Sequence, residues 1–460
     1  MLTIIEKCRI SAPANTVGER SLPLTFFDLI WLLLPPVHQL FFYDFPHSKS
    51  YFIDTILPNL KHSLSITLQH FFPFACNLIV FSSSETNVRK PELRHVEGDS
   101  VALTFSECHD LDFHDLKSNH PRDCNKFHPL VPQLGNAFKS SSGFVKMPVF
   151  SIQVTIFPNS GITIGLTNHH SLCDARTRHQ FLMGWASIAK HGNDELLLAS
   201  GTLPYYDRVI EYPNSLDEII LPPIRTLDEN YNVPQLVPQT DVVRSTIVLT
   251  RTQINWLKKW LLVQRPTLKY VSSFVVACGF VWSCIAKSRV LIKGKKGEYE
   301  VERFGCVADW RARFDPPLPQ TYFGNCGRFC VAITKTTLIA GSNGFTNAVE
   351  LLGTAIMEAV NNKQGVLKDA TTWLKKAFSQ VPAIGVAGTP KHNVYDVDFG
   401  WGRPKKYETI SLDFGDSISV NASNESSDDL EVGLCLPAKQ MDAFITIYRR
   451  ELKSTLSYHF

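Results

Sequence analysis

The stretch from Gly161 to His191 constrains the fold more than any other part of the chain, because its hydrophobic period changes in the middle. Up to His169 and His170 it is rich in β-branched and apolar residues, which is typical of a strand entering the core. Beyond Asp174 apolar residues recur at spacings of three and four, which predicts one buried face of a helix. Asp174 stands at the N-cap position. The stretch therefore predicts a strand, a sharp turn and a helix.

The two histidines at this turn are the first candidates for chemistry. A strand end can hold an imidazole rigidly, and a neutral imidazole accepts a proton from a hydroxyl near neutral pH without any cofactor. His170 is therefore a candidate general base, and Asp174 could orient it or simply cap the helix. A zinc site at His169, His170 and Asp174 is a structural alternative. Because adjacent strand residues point to opposite faces, the two histidines would not readily share one ion, and we expect no metal.

Composition excludes several classes of protein. A formal charge of +3 is too small to indicate nucleic-acid binding. The 11 cysteines are scattered without a Cys-x-x-Cys pair, which is typical of a reduced intracellular chain. Glu6 and Lys7 lie where a signal peptide would be apolar, and the apolar run from Phe26 to Leu34 is far shorter than a membrane span. We expect a cytoplasmic monomer that binds no membrane. Neither a Walker loop nor a Gly-x-Gly-x-x-Gly motif is present to bind ATP or a dinucleotide.

The chain is long enough for two domains, since single cores stop growing at roughly 250–300 residues. A proline-rich stretch of weak periodicity separates two halves that each carry strands and helices. We predict an N-terminal domain over 1–205, a crossover linker over 206–240 and a C-terminal domain over 241–460. Strand and helix patterns in both halves indicate an α/β fold with sheets flanked by helices.

Two short motifs resemble those of a known family. His170-Ser-Leu-Cys-Asp174 in mid-chain and Asp398-Phe-Gly-Trp-Gly402 near the end resemble the signatures of plant BAHD acyltransferases, which move acyl groups from coenzyme A thioesters. Leu22-Pro-Leu-Thr-Phe-Phe-Asp28 and Tyr322-Phe-Gly-Asn-Cys326 resemble the branch that acts on anthocyanins and other phenolic glycosides. The likeness spans nearly the whole chain.

The resemblance implies a fold and a set of residue roles. The fold is two chloramphenicol-acetyltransferase-like domains, with a channel at their interface that reaches the histidine from both sides. His170 corresponds to the general base, and Asp174 to an aspartate turned away and salt-bridged to the equivalent of Arg311. The residues alone leave open whether Arg311 or Arg313 is that partner. Asp398 is either a second proton acceptor or a structural residue, and Trp401 is a structural support or an oxyanion donor.

The substrates follow from the same resemblance. Acyl-CoA is the expected co-substrate, with no permanently bound cofactor, and a sugar hydroxyl of a phenolic glucoside is the expected acceptor. No Gly-x-Ser-x-Gly elbow is present, so we predict direct transfer in a ternary complex. The candidates for binding coenzyme A lie at one helix start and on the helix before it. They are Ser272, Ser273, Lys258 and Lys259.

The acyl group is predicted from two arginines. Arg176 and Arg178 follow Asp174 on the first turns of the helix, where a guanidinium could bind the free carboxylate of a malonyl group. Alternatively, Asp174 and Arg178 form an ordinary surface pair at i, i+4, and the donor is a hydroxycinnamoyl-CoA. Two other classes remain open: a thioesterase or esterase that activates water with the same histidine, and a phenolic-binding protein without turnover.

Overall fold

Three β-sheets form the framework of the part of the chain that the structure describes. The structure is a computed structural model, and it describes every residue except 1, 82–88, 141–142, 213, 225–232, 295–300, 362–364, 366, 368, 380, 382, 416 and 458–460. Residues 213 and 225–232 of the predicted linker therefore lie outside the described residues.

The first sheet has six strands and contains the predicted strand that leads to the two histidines. In spatial order the strands are Leu2–Ile10, Val101–Cys108, Phe150–Phe157, Gly161–Asn168, Val37–Asp44 and Lys406–Thr409. Phe150–Phe157 and Gly161–Asn168 form an antiparallel hairpin in which every residue is buried. This burial on both faces explains the continuous apolar character of the two segments.

The helix Ala175–His191, called here the motif helix, covers one face of that sheet. Asp174 caps its start by accepting a hydrogen bond from Thr177 N at 3.0 Å. Gly192 ends it with φ +78°, a left-handed conformation that favours glycine. Phe181 and Trp185 lie fully buried on its inner face, as the spacing predicted.

The second sheet has seven strands. In spatial order they are Gly327–Lys335, Val301–Asp309, Ala383–Ala387, Ser417–Ala422, Leu430–Pro437, Val242–Leu249 and Arg122–Asp123. The helix Ser273–Lys293 lies in the apolar core beside this sheet and packs against the helices Gly344–Val360 and Ala438–Leu456. It is the one described helix that is long and apolar enough to cross a membrane, and 72% of its most apolar window is buried inside the protein.

A smaller five-stranded sheet completes the framework. Its strands are, in spatial order, Arg20–Pro23, Glu92–His95, Asn77–Phe81, Phe144–Pro148 and Phe138–Lys139. The other helices are Phe26–Leu29, Lys49–Tyr51, Leu57–His70, Phe113–Leu116, Glu195–Ala199, Asp217–Ile224, Arg251–Gln264, Thr336–Ala340, Gly344–Val360, Ala370–Ala377 and Ala438–Leu456.

The two halves of the chain exchange strands across the large sheets. Lys406–Thr409, from the second half, pairs with Val37–Asp44 and forms an edge of the first sheet. Arg122–Asp123, from the first half, pairs with Val242–Leu249 at an edge of the second. The exchange ties the halves together by backbone hydrogen bonds, while the exact domain boundaries stay a prediction.

One local prediction is wrong. The segment from Ile410 to Leu412 is predicted to be a strand, but residues Ile410–Phe414 form a 3₁₀ turn directly after the strand Lys406–Thr409. Ile410 and Leu412 pack into two different apolar clusters. So short a segment cannot by itself distinguish these conformations, because both bury side chains.

A network of buried charges lies where the exchanged strands meet. Glu408 accepts from Arg122 at 3.0 Å and from Arg244 at 3.2 Å, and all three side chains are almost fully buried. Burial alone would raise the pKa of Glu408, but Arg122, Arg244 and Lys406 lower it to about 2. The carboxylate therefore stays charged and balances the cations.

We expect Glu408→Gln to destabilise the fold by about 3 kcal/mol, because it leaves the buried Arg122 guanidinium without its counter-charge and removes one of the two carboxylates that face Arg244. Chemical denaturation of both proteins measures the difference in the free energy of unfolding. Asp428→Asn is the matched control, since Asp428 forms an exposed pair with Arg251 and should cost less than about 1 kcal/mol. Equal losses in the two variants would contradict this account of the network.

Candidate active site

The two adjacent histidines have different environments, as their position at a strand end requires. His169 is fully buried, its Nδ1 lies 2.8 Å from Ser171 Oγ, and burial lowers its pKa to about 4. His170 is partly exposed. The turn between strand and helix is closed by Leu172 N, which donates to the carbonyl of His169 at 3.0 Å. Only His170 is therefore available to a substrate.

The imidazole of His170 lies flat against the indole of Trp31. The ring centroids are 3.9 Å apart and the planes differ by 6°. Trp31 follows the short helix Phe26–Leu29 and also contacts Phe329 from the second half, with centroids 4.9 Å apart. No pattern in the sequence indicates this contact of Trp31, although the residue lies three positions after the motif that ends at Asp28.

His170 is neutral at physiological pH. Burial, helped by the charge of Arg178, lowers its pKa to about 3, although a backbone hydrogen bond and Asp174 act in the opposite direction. Nδ1 is buried, and it has no hydrogen-bond partner among the described residues. A neutral ring retains the lone pair that a general base needs.

A buried hydrogen-bond chain holds the backbone of His170. Asn325 Nδ2 donates to the carbonyl of His170 at 3.1 Å. The same amide group and Asn325 N donate to Asp28 Oδ1 at 3.2 and 2.8 Å, and Asp28 is fully buried. Thr25 donates to the other carboxylate oxygen through its backbone N and its hydroxyl, at 3.0 and 2.8 Å. The motif that ends at Asp28 and the motif that contains Asn325 thus meet at His170. The sequence alone did not predict that these motifs hold the histidine.

Gly324 permits this close approach. Its φ is +109°, and a Cβ there would lie 2.9 Å from Arg208 Nη1 and 3.0 Å from Asp28 Oδ1. A larger residue would therefore push against the buried charges that hold Asn325.

The predicted pair between Asp174 and Arg311 is present. Arg311 Nη1 lies 2.7 Å from Asp174 Oδ2, and the arginine side chain is completely buried. Burial alone would raise the pKa of Asp174, but the charge and hydrogen bond of Arg311 hold it below its usual value. Arg313 instead donates to the carbonyl of Asp309, which resolves the alternative that the sequence left open. Asp174 thereby anchors the turn and the start of the motif helix.

The structure places Asp398 in a turn of its own. Its Oδ1 accepts from Gly400 N and Gly402 N, both at 2.9 Å, and its Oδ2 pairs with Lys190 at 2.7 Å. Burial opposes ionisation, but these contacts lower the pKa of Asp398. This arrangement favours the structural role over that of a proton acceptor.

Trp401, in the same turn, packs in an aromatic cluster. Its ring stacks on Phe399 with centroids 5.5 Å apart and meets Tyr43 and Phe45 edge to face, each at 6.1 Å. These contacts agree with structural support. Its Nε1 is buried, without a hydrogen-bond partner in the described part of the chain.

A cavity between the two halves lies beside the motif helix. Its empty volume is about 350 Å³, including space open to solvent. Residues of both halves line it, among them Gln39, Arg178 and His179 on one side and Thr389, His392 and Tyr407 on the other. Its position agrees with the implied channel at the domain interface.

The two predicted acyl-binding arginines differ in their partners. Arg178 is buried and donates to two neutral oxygens, Gln39 Oε1 at 2.8 Å and Asn168 Oδ1 at 3.3 Å. The described residues supply no carboxylate within ion-pair distance of it, and the alternative surface pair with Asp174 is wrong. Arg176, by contrast, pairs with Asp309 at 3.1 Å. Arg178 therefore lines the cavity with no carboxylate of the described residues as its partner.

The residues predicted to bind coenzyme A lie together at the start of the helix Ser273–Lys293. Lys258 Nζ donates to Ser273 Oγ at 2.9 Å, and Ser272 caps the helix by accepting from Val275 N at 3.2 Å. Lys259 is exposed on the preceding helix. Their role in binding the co-substrate stays a prediction.

Comparisons with known proteins agree with these observations. A sequence model of the Transferase family matches residues 1–447. A malonyl-coenzyme A:anthocyanin 3-O-glucoside-6''-O-malonyltransferase from Dahlia pinnata is 53% identical over 457 residues, covering 99% of this chain and 98% of the relative. Phenolic glucoside malonyltransferase 1 from Nicotiana tabacum is 42% identical, covering 91% of this chain and 92% of its own. The crystal structure of vinorine synthase superposes with a TM-score of 0.67 at 18% identity, covering 96% of each chain, which confirms the predicted α/β fold.

We expect Asn325→Ala to destabilise the protein by about 1–3 kcal/mol, because it removes the side-chain donor to the buried His170 carbonyl and one of the donors to the buried Asp28 carboxylate. Urea denaturation monitored by tryptophan fluorescence measures the change. Asn361→Ala, at an exposed helix end, is the control and should stay within about 0.5 kcal/mol of the parent. An Asn325 variant as stable as this control would show that the chain from Asp28 to His170 contributes nothing.

Proposed function

The chain belongs to the Transferase family, the BAHD acyltransferases, and we propose that it moves a malonyl group from coenzyme A to a sugar hydroxyl of an anthocyanin or other phenolic glucoside. Acyl-CoA is the co-substrate of this acyltransferase. Two malonyltransferase relatives that align over nearly their whole length support the choice of acyl group and acceptor.

His170 is the proposed general base. A sugar hydroxyl is a weak nucleophile at neutral pH, so its proton must leave as the new C–O bond forms. The neutral, partly exposed imidazole at a rigid strand end can accept that proton. Proton removal by a positioned side chain typically contributes 10²- to 10⁴-fold to the rate.

Trp31 is the proposed partner of the charged ring. Once His170 has taken the proton it is an imidazolium in a site whose burial disfavours the charge. The stacked indole presents its electron-rich face to that cation at a centroid distance of 3.9 Å. Trp31 thus offsets part of the cost of burial at the moment when the charge exists.

The reaction needs no covalent enzyme intermediate. Attack of the hydroxyl oxygen on the thioester carbonyl gives a tetrahedral intermediate, which collapses with cleavage of the C–S bond. The departing thiolate, whose acid has a pKa of about 8.5, receives the proton from the imidazolium. Asp174 and Arg311 do not contact the reacting atoms in this proposal, and they act by holding the turn that carries His170. Asp398 likewise acts by holding its own loop.

The environment of Arg178 is the observation that supports malonyl as the transferred acyl group. A buried cation without a counter-charge is costly, and this one lines the cavity beside the motif helix. Its guanidinium has five N–H donors, of which two are used by Gln39 and Asn168. The remaining donors suit a carboxylate, and a malonyl thioester carries one at the end opposite its sulfur.

The other predictions about substrates extend this proposal. The phosphates of coenzyme A are proposed to bind at the start of the helix Ser273–Lys293. A helix N-terminus and two lysine amines favour negative charge there. The residues of this proposed contact are Ser272, Ser273, Lys258 and Lys259. A monomeric, cytoplasmic state without membrane contact remains our prediction.

The experiment incubates the enzyme with malonyl-CoA and an anthocyanin glucoside, and follows free thiol together with the mass of the glucoside. We expect thiol and malonylated glucoside in equal amounts, and we expect His170→Ala to lower kcat by about 10²- to 10⁴-fold. Thiol release without an acylated sugar would instead indicate a thioesterase. Binding of the glucoside without turnover with any acyl-CoA would indicate a phenolic-binding protein.

Arg178→Met should change the donor preference. We expect kcat/KM for malonyl-CoA to fall by about 10- to 100-fold, since a hydrogen-bonded charge typically contributes 1.5–3 kcal/mol, with little change for acetyl-CoA or coumaroyl-CoA. Arg176→Met is the matched control on the same helix, and because Arg176 already pairs with Asp309 it should leave the preference unchanged. Equal losses with every donor in Arg178→Met would remove Arg178 from the acyl site.

A further inference from the structure

A second cluster of reactive side chains lies outside the active site, beside the buried charge network. Cys124, Asp413 and Cys435 come from three distant parts of the chain, and all three are buried. Their two sulfur atoms and a carboxylate oxygen all lie within 4.8 Å of one another. Two thiols and a carboxylate at such spacing form a donor set that suits Zn²⁺.

Further residues hold the carboxylate of this cluster in place. His128 Nε2 lies 2.8 Å from Asp413 Oδ2, and Arg244 Nη1 lies 3.3 Å from both carboxylate oxygens. An ionised carboxylate has about four lone-pair sites, so at least one is left for a metal. A histidine or arginine on a ligating carboxylate is the kind of outer contact that orients metal ligands.

The charge balance of the region permits a divalent cation. Three buried cations, Arg122, Arg244 and Lys406, face three carboxylates, Glu408, Asp413 and Glu431. The network is therefore neutral before any metal binds. A Zn²⁺ ion that displaces one proton from each thiol brings two positive charges and leaves two thiolates, so neutrality is kept.

The thiols are in contact with each other and with the charges. Cys124 and Cys435 share a hydrogen bond, and Asp413 and Arg244 lie close to both thiols. His128 is partly exposed at the edge of the cluster, which gives an ion a way in from solvent.

We propose that Cys124, Cys435 and Asp413 form a structural zinc site, with His128 and Arg244 as outer contacts on the carboxylate. Two S–H bonds give up protons to solvent as two Zn–S bonds and one Zn–O bond replace waters of the hydrated ion, one water stays as the fourth ligand, and no oxidant or reductant is required. The ion joins the segment after Arg122–Asp123 to the turn Ile410–Phe414 and the strand Leu430–Pro437. It thereby ties the exchanged strand of the first half to the second sheet.

The chain contains a matched control for this site. Cys306 and Cys330 lie directly opposite each other on neighbouring strands of the second sheet, and their thiols share a hydrogen bond. Among the described residues, no third metal-binding side chain lies close to both of these thiols. The cluster of Cys124, Asp413 and Cys435 is the one group of three possible ligands in that part of the chain. A thiol pair alone is therefore not expected to hold the ion.

The test titrates the reduced, full-length enzyme with Co²⁺ and then with Zn²⁺. We expect about one equivalent of Co²⁺ to produce a thiolate-to-cobalt absorption band, which Zn²⁺ abolishes, and we expect Zn²⁺ to raise Tm. Cys124→Ser and Cys435→Ser should lose the band, whereas the double variant Cys306→Ser with Cys330→Ser should keep it. His128→Gln should weaken the metal affinity by about 10- to 100-fold.

Several results would overturn the proposal. They are no band in the parent protein, a band that survives in Cys435→Ser, a band lost only in the control variant, and a Cys124–Cys435 disulfide in peptide maps of protein purified without reductant. If the cysteine variants do not fold, the parent titration and His128→Gln still decide, because neither removes a buried thiol. None of these readouts depends on which acyl group the enzyme transfers.

Discussion

The structure depends on how firmly it holds one peptide unit, that of His170. The strand before it is paired on both sides, and the turn after it is anchored by the buried ion pair between Asp174 and Arg311. Its carbonyl accepts from Asn325, which is itself held by Asp28. These constraints come from both halves of the chain. The position of His170 is thus fixed through its backbone, with no hydrogen bond to its buried Nδ1 from the described residues.

The same arrangement accounts for the electrostatics of the site. Burial keeps the imidazole neutral, and the indole of Trp31 presents an electron-rich face to the charge that forms during the reaction. Arg178 is buried beside neutral oxygens, and this environment is the basis for proposing that it binds an anionic acyl group.

Much of the fold could be predicted from periodicity alone. The strand Gly161–Asn168 and the motif helix appear where the change of period indicated them, and the ion pair with Arg311 appears where the resemblance implied it. The strand predicted over Ile410–Leu412 was wrong, because two apolar residues around a serine fit a strand and a 3₁₀ turn equally well. The alternative pair between Arg178 and Asp174 does not form, since Asp174 pairs with Arg311 from outside the helix.

By itself the sequence determined which residue types carry the chemistry and which elements present them. Local periodicity, the N-cap and short motifs depend on neighbours within a few turns, and the sequence records those directly. Only the tertiary structure decided that Trp31 stacks on His170, that Asn325 holds its carbonyl and that Cys124 meets Cys435 and Asp413. These contacts join residues separated by more than a hundred positions. They follow from how the sheets exchange strands and pack, which no local pattern encodes.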